Sequence, residues 1–161
     1  MATVKYKLFK QDKRTVYFLK DGLPSLNVLS AAFDKDGKVW IGTDNGVAVF
    51  ENGAFRKVDG FEGKVQVLFT DAEGRLWVGC GNTVSTSDGE NKQELDSDIV
   101  AISHDHSGNL RLITRDCLYR YDGEFINWHS NEGAVPYDMA AVADGEVYAA
   151  NLGTATITAK A

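Results

Sequence analysis

A glycine that closes a short polar turn recurs at a nearly constant interval along the chain. Gly37, Gly74, Gly108 and Gly145 are separated by 37, 34 and 37 residues. Each glycine stands between two apolar runs, where it supplies the positive φ that a tight β-hairpin turn needs. A period of this length is typical of propeller blades, and one blade cannot bury both of its faces without neighbours. The chain is therefore predicted to fold as a series of stacked β-sheet units.

The stretch 27–58 shows the repeating unit in full. Four runs rich in β-branched and aromatic residues alternate with turns, several of which contain Asp-Gly or Asn-Gly. Such residues suit a pleated, half-buried surface, so the runs are predicted to be four antiparallel strands. In order along the chain, these strands are expected at 28–33, 38–42, 47–50 and 55–58.

The same pattern divides the chain into a partial unit and four repeats within a single domain. A length of 161 residues fits one domain with a substantial core. The partial unit spans 1–21, and the repeats span 22–60, 61–96, 97–130 and 131–161. Strands of the later repeats are expected at 65–70, 76–79, 83–86 and near 92–95, then at 99–103, 110–114, 118–121 and 125–129, and finally at 139–142, 147–150 and 154–158.

The two ends of the chain are predicted to complete each other. Residues 6–9 and 16–19 line up with the third and fourth strands of the first full repeat, whereas the last repeat lacks a fourth strand. An all-β propeller of about four four-stranded antiparallel blades, its ring closed by the N- and C-terminal strands, satisfies this pattern and leaves no exposed sheet edge. The third strand is then supplied twice, by 6–9 and by 154–158. A strand-exchanged dimer with an eight-bladed ring, or an open fragment of a larger propeller, is therefore the alternative.

The charge of the chain argues against nucleic acid and membrane partners. The formal net charge is −6 and the pI is near 5.0, which repels phosphate backbones and anionic lipid surfaces. Cys80 and Cys117 fall at non-equivalent places of neighbouring repeats, so free thiols are expected. No apolar run approaches the roughly 20 residues of a membrane span, and the first residues lack the apolar core of a signal peptide. A soluble protein is expected, cytoplasmic if the start is native and periplasmic if the chain was excised from a sensor.

Two motifs suggest metal sites but have simpler interpretations. Asp34–Gly37 begins like a calcium loop, yet the next residues belong to a strand, so a hairpin turn is predicted. His104 and His106 flank Asp105 in the hairpin between the first two strands of their repeat, where solvated turn residues are expected. The sequence has no nucleophile elbow, phosphate-binding glycine loop or HExxH motif. No metal or other cofactor is predicted, and no catalytic residue is assigned.

A ligand site is predicted from position alone. In propellers, ligands commonly meet the face formed by the connectors between blades and the turns between second and third strands, around the central channel. Loops held on a rigid scaffold are also where binding residues concentrate. The polar residues expected to bind a sugar or another small polar ligand are Asn27, Asp44, Asn45, Lys64, Asn82, Asp98, Arg115, Asp116, Tyr137, Asp138 and Asn151.

A large side chain recurs three residues after each hairpin glycine. Trp40 and Trp77 occupy this place in the first two repeats, and Arg111 and Tyr148 occupy it in the next two. Because the same role is repeated from blade to blade, the tryptophans are predicted to fill the gap between adjacent sheets and not to hold a ligand. Arg111 is expected to mark a weaker interface, or one where its charge reaches a carboxylate or water.

The best-marked repeat carries a family signature. It reads Gly-Leu-Pro-Ser at 22–25, then Asp-Lys-Asp-Gly-Lys-Val-Trp-Ile-Gly-Thr at 34–43, and Asn-Gly at 45–46. The second repeat keeps the core at 71–79 but has Cys80 in place of the threonine. The third keeps Asp105, Gly108 and Thr114. This pattern resembles the two-component regulator propeller repeat, and the resemblance implies a β-propeller from the extracytoplasmic sensor part of bacterial hybrid histidine kinases, where carbohydrate fragments are sensed.

A non-enzymatic ligand-binding or sensing module is the function that this resemblance predicts. Its partner is expected to be a small polar ligand, a glycan or another protein, with no nucleic acid and no direct membrane contact. The alternatives are a protein-interaction scaffold or oligomerising propeller fragment and, on the same scaffold, a hydrolase or lyase. The assembly is expected to be a monomer or a strand-exchanged dimer.

Overall fold

The computed structural model describes residues 15–105, 107–130, 136–143, 146–151 and 157–160, and side-chain environments are described up to residue 127. Its elements are short strands, together with a 3-10 turn at Leu19–Asp21. No helix in these ranges is long and apolar enough to cross a membrane. The described architecture is all-β.

The strands form four antiparallel sheets that follow one another in chain order. The first sheet consists of β1 (Val28–Phe33), β2 (Val39–Thr43), β3 (Gly46–Glu51) and β4 (Ala54–Val58). The second consists of β5 (Val65–Thr70), β6 (Leu76–Cys80), β7 (Thr83–Thr86) and β8 (Gln93–Glu94). The third consists of β9 (Ile99–His104), β10 (Leu110–Thr114), β11 (Cys117–Tyr121) and β12 (Phe125–Ser130). The fourth consists of β13 (Pro136–Ala143), β14 (Glu146–Asn151) and β15 (Ile157–Lys160).

The predicted strands of the first three repeats are confirmed to within one residue at each end. In the fourth repeat, β13 begins three residues before the predicted start at 139. Its register against β14 shifts twice, between Pro136 and Asp138 and between Ala141 and Ala143. These irregularities absorb extra residues, so the strand runs longer than the apolar pattern indicated.

An extra residue interrupts the first strand of every sheet at the same place. The register shifts fall at Leu29, Gln66, Val100 and Tyr137, each eight residues before the hairpin glycine of its repeat. Such a bulge bends its strand and increases the local twist, so the four first strands turn alike where the connectors enter. The Gln66 side chain donates to the carbonyl of Ile99, which links the bulge of the second sheet to the third.

Apolar side chains fill the spaces between consecutive sheets. Val47 and Leu68 belong to the cluster between the first and second sheets. Between the second and third, Trp77 is fully buried, and its ring packs edge-on against Tyr121 and Phe125 at centroid distances of 5.1 and 5.3 Å. Removing this apolar surface from water is the main favourable term that holds one sheet against the next.

Residues 16–19 do not form the predicted fourth strand of a partial blade, so that expectation is wrong. Residues 15–18 have no regular structure, and the chain then turns through Leu19–Asp21. The backbone N–H of Phe18 donates to the Asp21 carboxylate at 2.9 Å, and Gly22 has a φ of 95°. The side-chain bond and the left-handed glycine close a turn where a strand would need extended backbone. The predicted strand at 6–9, and the ring closure based on it, lie outside the described residues.

Tyr17 occupies the place on the first sheet that a tryptophan of a preceding sheet would take. Its ring packs edge-on against Phe50 and Phe55, at centroid distances of 5.3 and 5.2 Å. Phe50 and Phe55 are cross-strand partners. In the third sheet, the two aromatic residues that cover the buried tryptophan of the second sheet are cross-strand partners as well. The segment before the first repeat therefore covers aromatic surface of the first sheet, in the way that the tryptophan of the second sheet covers that of the third.

Candidate functional site

In the first three sheets, the aspartate that begins the hairpin turn accepts a hydrogen bond from the large side chain of the second strand. The indole N–H of Trp40 donates to Asp34 at 2.9 Å, and that of Trp77 donates to Asp71 at 2.7 Å. Both carboxylates also accept backbone N–H groups of their own turns. The predicted hairpin at Asp34–Gly37 is confirmed, and the tryptophans join the turn to the strand while they fill the gap between sheets.

Arg111 takes over the role of the tryptophan in the third sheet. Its guanidinium donates to Asp105 at 2.8 Å, and the two side chains are only 12% and 2% exposed. The expectation that its charge reaches a carboxylate is therefore confirmed. Asp105 is not a solvated turn residue, because it also accepts the backbone and side-chain N–H groups of Asn109.

Asp71 accepts hydrogen bonds from the backbone and side chain of Arg75 and from the side chain of Trp77. Burial by itself raises the pKa of Asp71, but hydrogen bonds from Trp77 and Arg75, together with the positive charge of Arg75, hold the pKa below its ordinary value. The Arg75 Nε donates to the carboxylate at 2.7 Å. Its guanidinium carbon lies 5.5 Å from the ring centroids of both Trp77 and Tyr121, so a cation–π contact joins the second sheet to the third.

We expect the stability of the protein to fall in acid as Asp71 becomes protonated. A carboxyl whose folded pKa lies below its unfolded value of about 3.9 stabilises the fold above that pH and loses this contribution as the pH falls through the folded pKa. Unfolding by urea, measured from pH 6 to pH 2.5, should show this loss. In Asp71→Asn the dependence on pH should be shallower, and Trp77→Phe, which keeps a ring but removes the indole donor, should fall between. An unchanged dependence in Asp71→Asn would contradict the role of this carboxylate.

Of the residues first considered as metal ligands, Asp105 serves the hairpin instead. His104 is exposed, and its ring lies 5.8 Å from that of Phe69 between centroids. His106 lies outside the described residues. Among the residues that the structure describes, no group of three or more His, Cys, Asp or Glu side chains is arranged to hold a metal ion.

The connectors and the turns between second and third strands meet at the same end of each sheet. In three successive repeats, a backbone N–H that follows the second strand donates to the carbonyl that precedes the first. The donors are Asp44, Gly81 and Arg115, their acceptors are Asn27, Lys64 and Asp98, and the distances are 3.3, 3.2 and 3.3 Å. This repeated bond fixes the height of each turn, so the predicted polar face has a regular backbone.

Side-chain pairs reinforce this bond in the first and third repeats. The Asn27 side-chain amide donates to Asp44 at 3.1 Å, and hydrogen bonds from Ser25 and Asn27 hold the pKa of Asp44 below its ordinary value. Arg115 and Asp98 form an ion pair at 3.0 Å, with side chains 57% and 45% exposed. The structure therefore brings together four of the predicted binding residues as two exposed pairs.

The other predicted binding residues are anchored singly or are exposed. The Asn45 side chain donates to a carbonyl of the leading connector at 3.3 Å, and the Asn82 side chain donates to Glu94 at 3.1 Å. Lys64 and Asp116 are exposed. The predicted residues of the fourth sheet, whose side chains lie outside the described part of the chain, are Tyr137, Asp138 and Asn151.

A cleft of about 630 Å³ opens between the second sheet and the connector that leads into it, and the sequence prediction missed it. Its walls are the connector before β5 and the strand β7. The lining residues are Asp59, Gly60, Phe61, Glu62, Cys80, Thr83, Ser85, Ser87, Asp88, Gly89 and Lys92. The signal in the sequence was the third strand of the second repeat, Thr83–Thr86, which is polar where the third strands of the first and third repeats are mainly apolar.

Cys80 borders this cleft as a neutral thiol. Both cysteines are free, as the sequence predicted. The Cys80 thiol donates to the carbonyl of Glu62 at 3.0 Å. Burial raises the pKa of this thiol, although nearby Lys92 acts in the opposite direction. A neutral thiol is a weak nucleophile, so Cys80 joins the connector to the sheet and is not poised for covalent chemistry.

Comparison with known proteins identifies the repeat and the fold. Residues 22–45 match the family model described as two component regulator propeller. This confirms the resemblance for the first repeat, which carries the complete signature. No curated protein sequence matches the chain.

Solved structures with the same fold include two extracellular domains from B. thetaiotaomicron. One belongs to BT4673, described as a one-component system, with a TM-score of 0.72 and 19% identity over 88% of this chain and 23% of that one. The other belongs to BT3049, described as a hybrid two-component system, with a TM-score of 0.67 and 18% identity over 88% of this chain and 22% of that one. The chain therefore spans less than a quarter of these two structures.

An enzyme with the same fold is also similar. Catalytically inactive virginiamycin B lyase from Staphylococcus aureus, solved with quinupristin, has a TM-score of 0.62 and 17% identity over 83% of this chain and 52% of that one. At these identities the likeness concerns the fold, which is a β-propeller.

Proposed function

We propose that this chain is a sensing propeller module that binds a small polar ligand, such as a carbohydrate fragment, and does not transform it. The observation that carries the proposal is the repeated bond between the carbonyl before the first strand and the N–H after the second. It holds three turns at one height and presents exposed polar side chains from each. A regular, rigid frame with variable side chains is what a recognition surface needs.

The exposed pairs on this face suit a ligand rich in hydroxyl groups. The Asp98–Arg115 pair is about half exposed on both sides, so its contribution to stability is small and a ligand can share its charged groups at little cost. The Asn27–Asp44 pair offers an amide and a carboxylate side by side. Carboxylate, amide and guanidinium groups together can donate to and accept from neighbouring hydroxyls of a sugar.

Similarity to sensor structures supports the same proposal. The matched family model is named for two-component regulators, and the two neighbours from B. thetaiotaomicron are extracellular parts of signalling systems. By this likeness we propose that the chain works outside the cytoplasm. The similar lyase keeps an enzymatic alternative open to test, and a protein-binding scaffold is the other alternative.

A binding screen separates these functions. Isothermal titration calorimetry with a panel of oligosaccharides and small metabolites should show saturable binding without turnover. In Arg115→Ala and Asp44→Ala, affinity for the ligand found should fall about tenfold or more, because a hydrogen bond to a charged group contributes about 1.5–3 kcal/mol.

The control lies at the opposite end of the sheets. Asp36 is an exposed residue of the first hairpin, and Asp36→Ala should bind as the wild type does. Turnover of a compound without saturable binding would favour the enzyme, and neither turnover nor binding would favour the protein scaffold. Equal affinity in the wild type and in all three variants would mean that the ligand binds elsewhere on the protein.

A further inference from the structure

We infer that the cleft between the second sheet and the connector before β5 is a second binding site, which takes a small polyhydroxylated molecule that carries a positive charge, such as a hexosamine. The cleft lies between the connector before β5 and the strand β7, and it shares no lining residue with the predicted polar face. Its volume of about 630 Å³ falls within the range of small-molecule sites. The inference does not depend on the proposed sensing face.

The cleft exists because three positions of the second sheet carry small side chains. Counted from the hairpin glycine of each repeat, Thr83, Ser85 and Ser87 correspond to Cys117, Tyr119 and Tyr121. In the third sheet these residues pack against the second sheet and belong to, or lie against, its apolar cluster. The same space in front of the second sheet stays open. Protein side chains fill the interface between the second and third sheets, whereas the cleft in front of the second sheet is large enough for another molecule.

The interface between the second and third sheets contains a hydrogen bond that has no counterpart in the cleft. The Tyr119 hydroxyl donates to the carboxylate of Asp96, in the connector three residues before β9, at 2.8 Å. The corresponding residues around the cleft are Ser85 and Glu62, and no hydrogen bond joins them, because serine is much shorter than tyrosine. A hydroxyl or ammonium group of a ligand between them would take the place of the tyrosine hydroxyl.

The Ser85 hydroxyl reaches the cleft and has no partner among the described residues. Its residue is 6% exposed and lines the cleft, and no other residue in the described part of the chain forms a hydrogen bond with its side chain. Its position in the wall of an open cleft makes it available to a bound molecule.

The charges of the lining residues determine which polar ligands the cleft can bind. The lining includes the carboxylates of Asp59, Glu62 and Asp88 and a single basic side chain, Lys92. Glu62 and Asp59 lie on the connector, and Asp88 and Lys92 lie beyond β7, so acidic groups flank the cleft from both sides. An anionic ligand would be repelled, whereas an ammonium group would be attracted. The hydroxyls of Thr83, Ser85 and Ser87 then serve the hydroxyl groups of the ligand.

Three sugars with one ring geometry test the charge requirement. Glucosamine, N-acetylglucosamine and glucuronate should be titrated separately into the whole protein and followed by calorimetry or by chemical shift changes. Glucosamine should bind most tightly, N-acetylglucosamine more weakly, and glucuronate not at all. Equal affinity for glucosamine and glucuronate would overturn the inference, and so would the failure of glucosamine to bind at millimolar concentration.

Substitutions of cleft residues test whether glucosamine binds in the cleft. Glu62→Gln keeps the shape and removes one charge, so affinity for glucosamine should fall about fivefold or more while that for N-acetylglucosamine stays within about twofold. Ser85→Ala should weaken both. Arg115→Ala, on the proposed sensing face, should leave glucosamine binding unchanged. Glucosamine binding that is lost in Arg115→Ala but kept in Glu62→Gln and Ser85→Ala would overturn the cleft site and favour the sensing face.

Discussion

Replacing Trp77 with alanine is expected to lower the free energy of unfolding by about 3–5 kcal/mol. Trp77 is fully buried, its indole N–H is bonded to Asp71, and two aromatic rings of the third sheet lie against it. Truncation therefore opens a cavity between two sheets and also leaves a buried carboxylate with one donor fewer. Because a domain has only about 5–15 kcal/mol of net stability, a large share of it would be lost.

A comparison of Trp77→Ala with Trp40→Ala tests whether the loss of stability depends on how deeply the ring is buried. Trp40 has the same place in the first sheet but is only partly buried, and its carboxylate partner Asp34 is less buried than Asp71. Trp40→Ala should therefore cost less than Trp77→Ala in a urea titration followed by circular dichroism. If Trp77→Ala kept wild-type stability and instead lost affinity for a ligand, the ring would be a binding platform and not a filler between sheets.

Arg111→Ala is a third comparison, and the structure changes what is expected of it. From the sequence alone, Arg111 was expected to mark a weaker interface, or one where its charge reaches a carboxylate or water. The ion pair with Asp105 is largely buried, however, and removing one partner of a buried pair leaves the other charge without compensation. Asn109 still donates to that carboxylate, so we expect a loss of about 1–3 kcal/mol, between a mild effect and that of Trp77→Ala.

The repeat was readable from the sequence because the signals that define a blade are local. Asp-Gly turns, alternating apolar residues and a large side chain three positions after the glycine specify strands and turns within about 15 residues of one another. Even Thr43 has a local role, since its hydroxyl donates to the carbonyl of Gly46 and closes the next turn. The strands of the first three repeats could therefore be placed to within one residue.

What the sequence did not reveal depends on contacts between repeats. Residues 16–19 have the composition of a strand, but Asp21 and Gly22 turn the chain so that Tyr17 covers the first sheet. The cleft beside Ser85 arises from a difference between two interfaces, each of which involves residues more than 20 positions apart. Polar candidates were chosen by their place in the repeat, which identified the Asn27–Asp44 pair but not the cleft.

The glycine of the Trp-Ile-Gly-Thr signature is expected to be as intolerant as the tryptophan before it. A Cβ added to Gly42 would lie 2.7 Å from the carbonyl oxygen of Val65 and 2.3 Å from the hydroxyl of Ser30. The hydroxyl can rotate away, but the carbonyl belongs to the backbone of the next sheet, so the two sheets would have to separate. Such overpacking typically costs about 1–3 kcal/mol for alanine, and valine should cost more.

Intrinsic β-propensity predicts that Gly42→Val stabilises the protein, so measuring its free energy of unfolding distinguishes the two explanations. Glycine weakens a strand and valine favours one, so a position governed by local preference would gain stability in Gly42→Val. Gly79 is the matched control, because a Cβ there would meet the side chains of Val67 and Ile99 at 3.1 and 3.3 Å, and side chains can yield by a few tenths of an ångström. Gly79→Ala should therefore cost less than Gly42→Ala in the same urea titration. In the third repeat this position is Ile113, which is 1% exposed, so a large side chain is accommodated there and the close approach belongs to the first two interfaces. Wild-type stability in Gly42→Val would mean that the contact between the first and second sheets does not depend on this glycine.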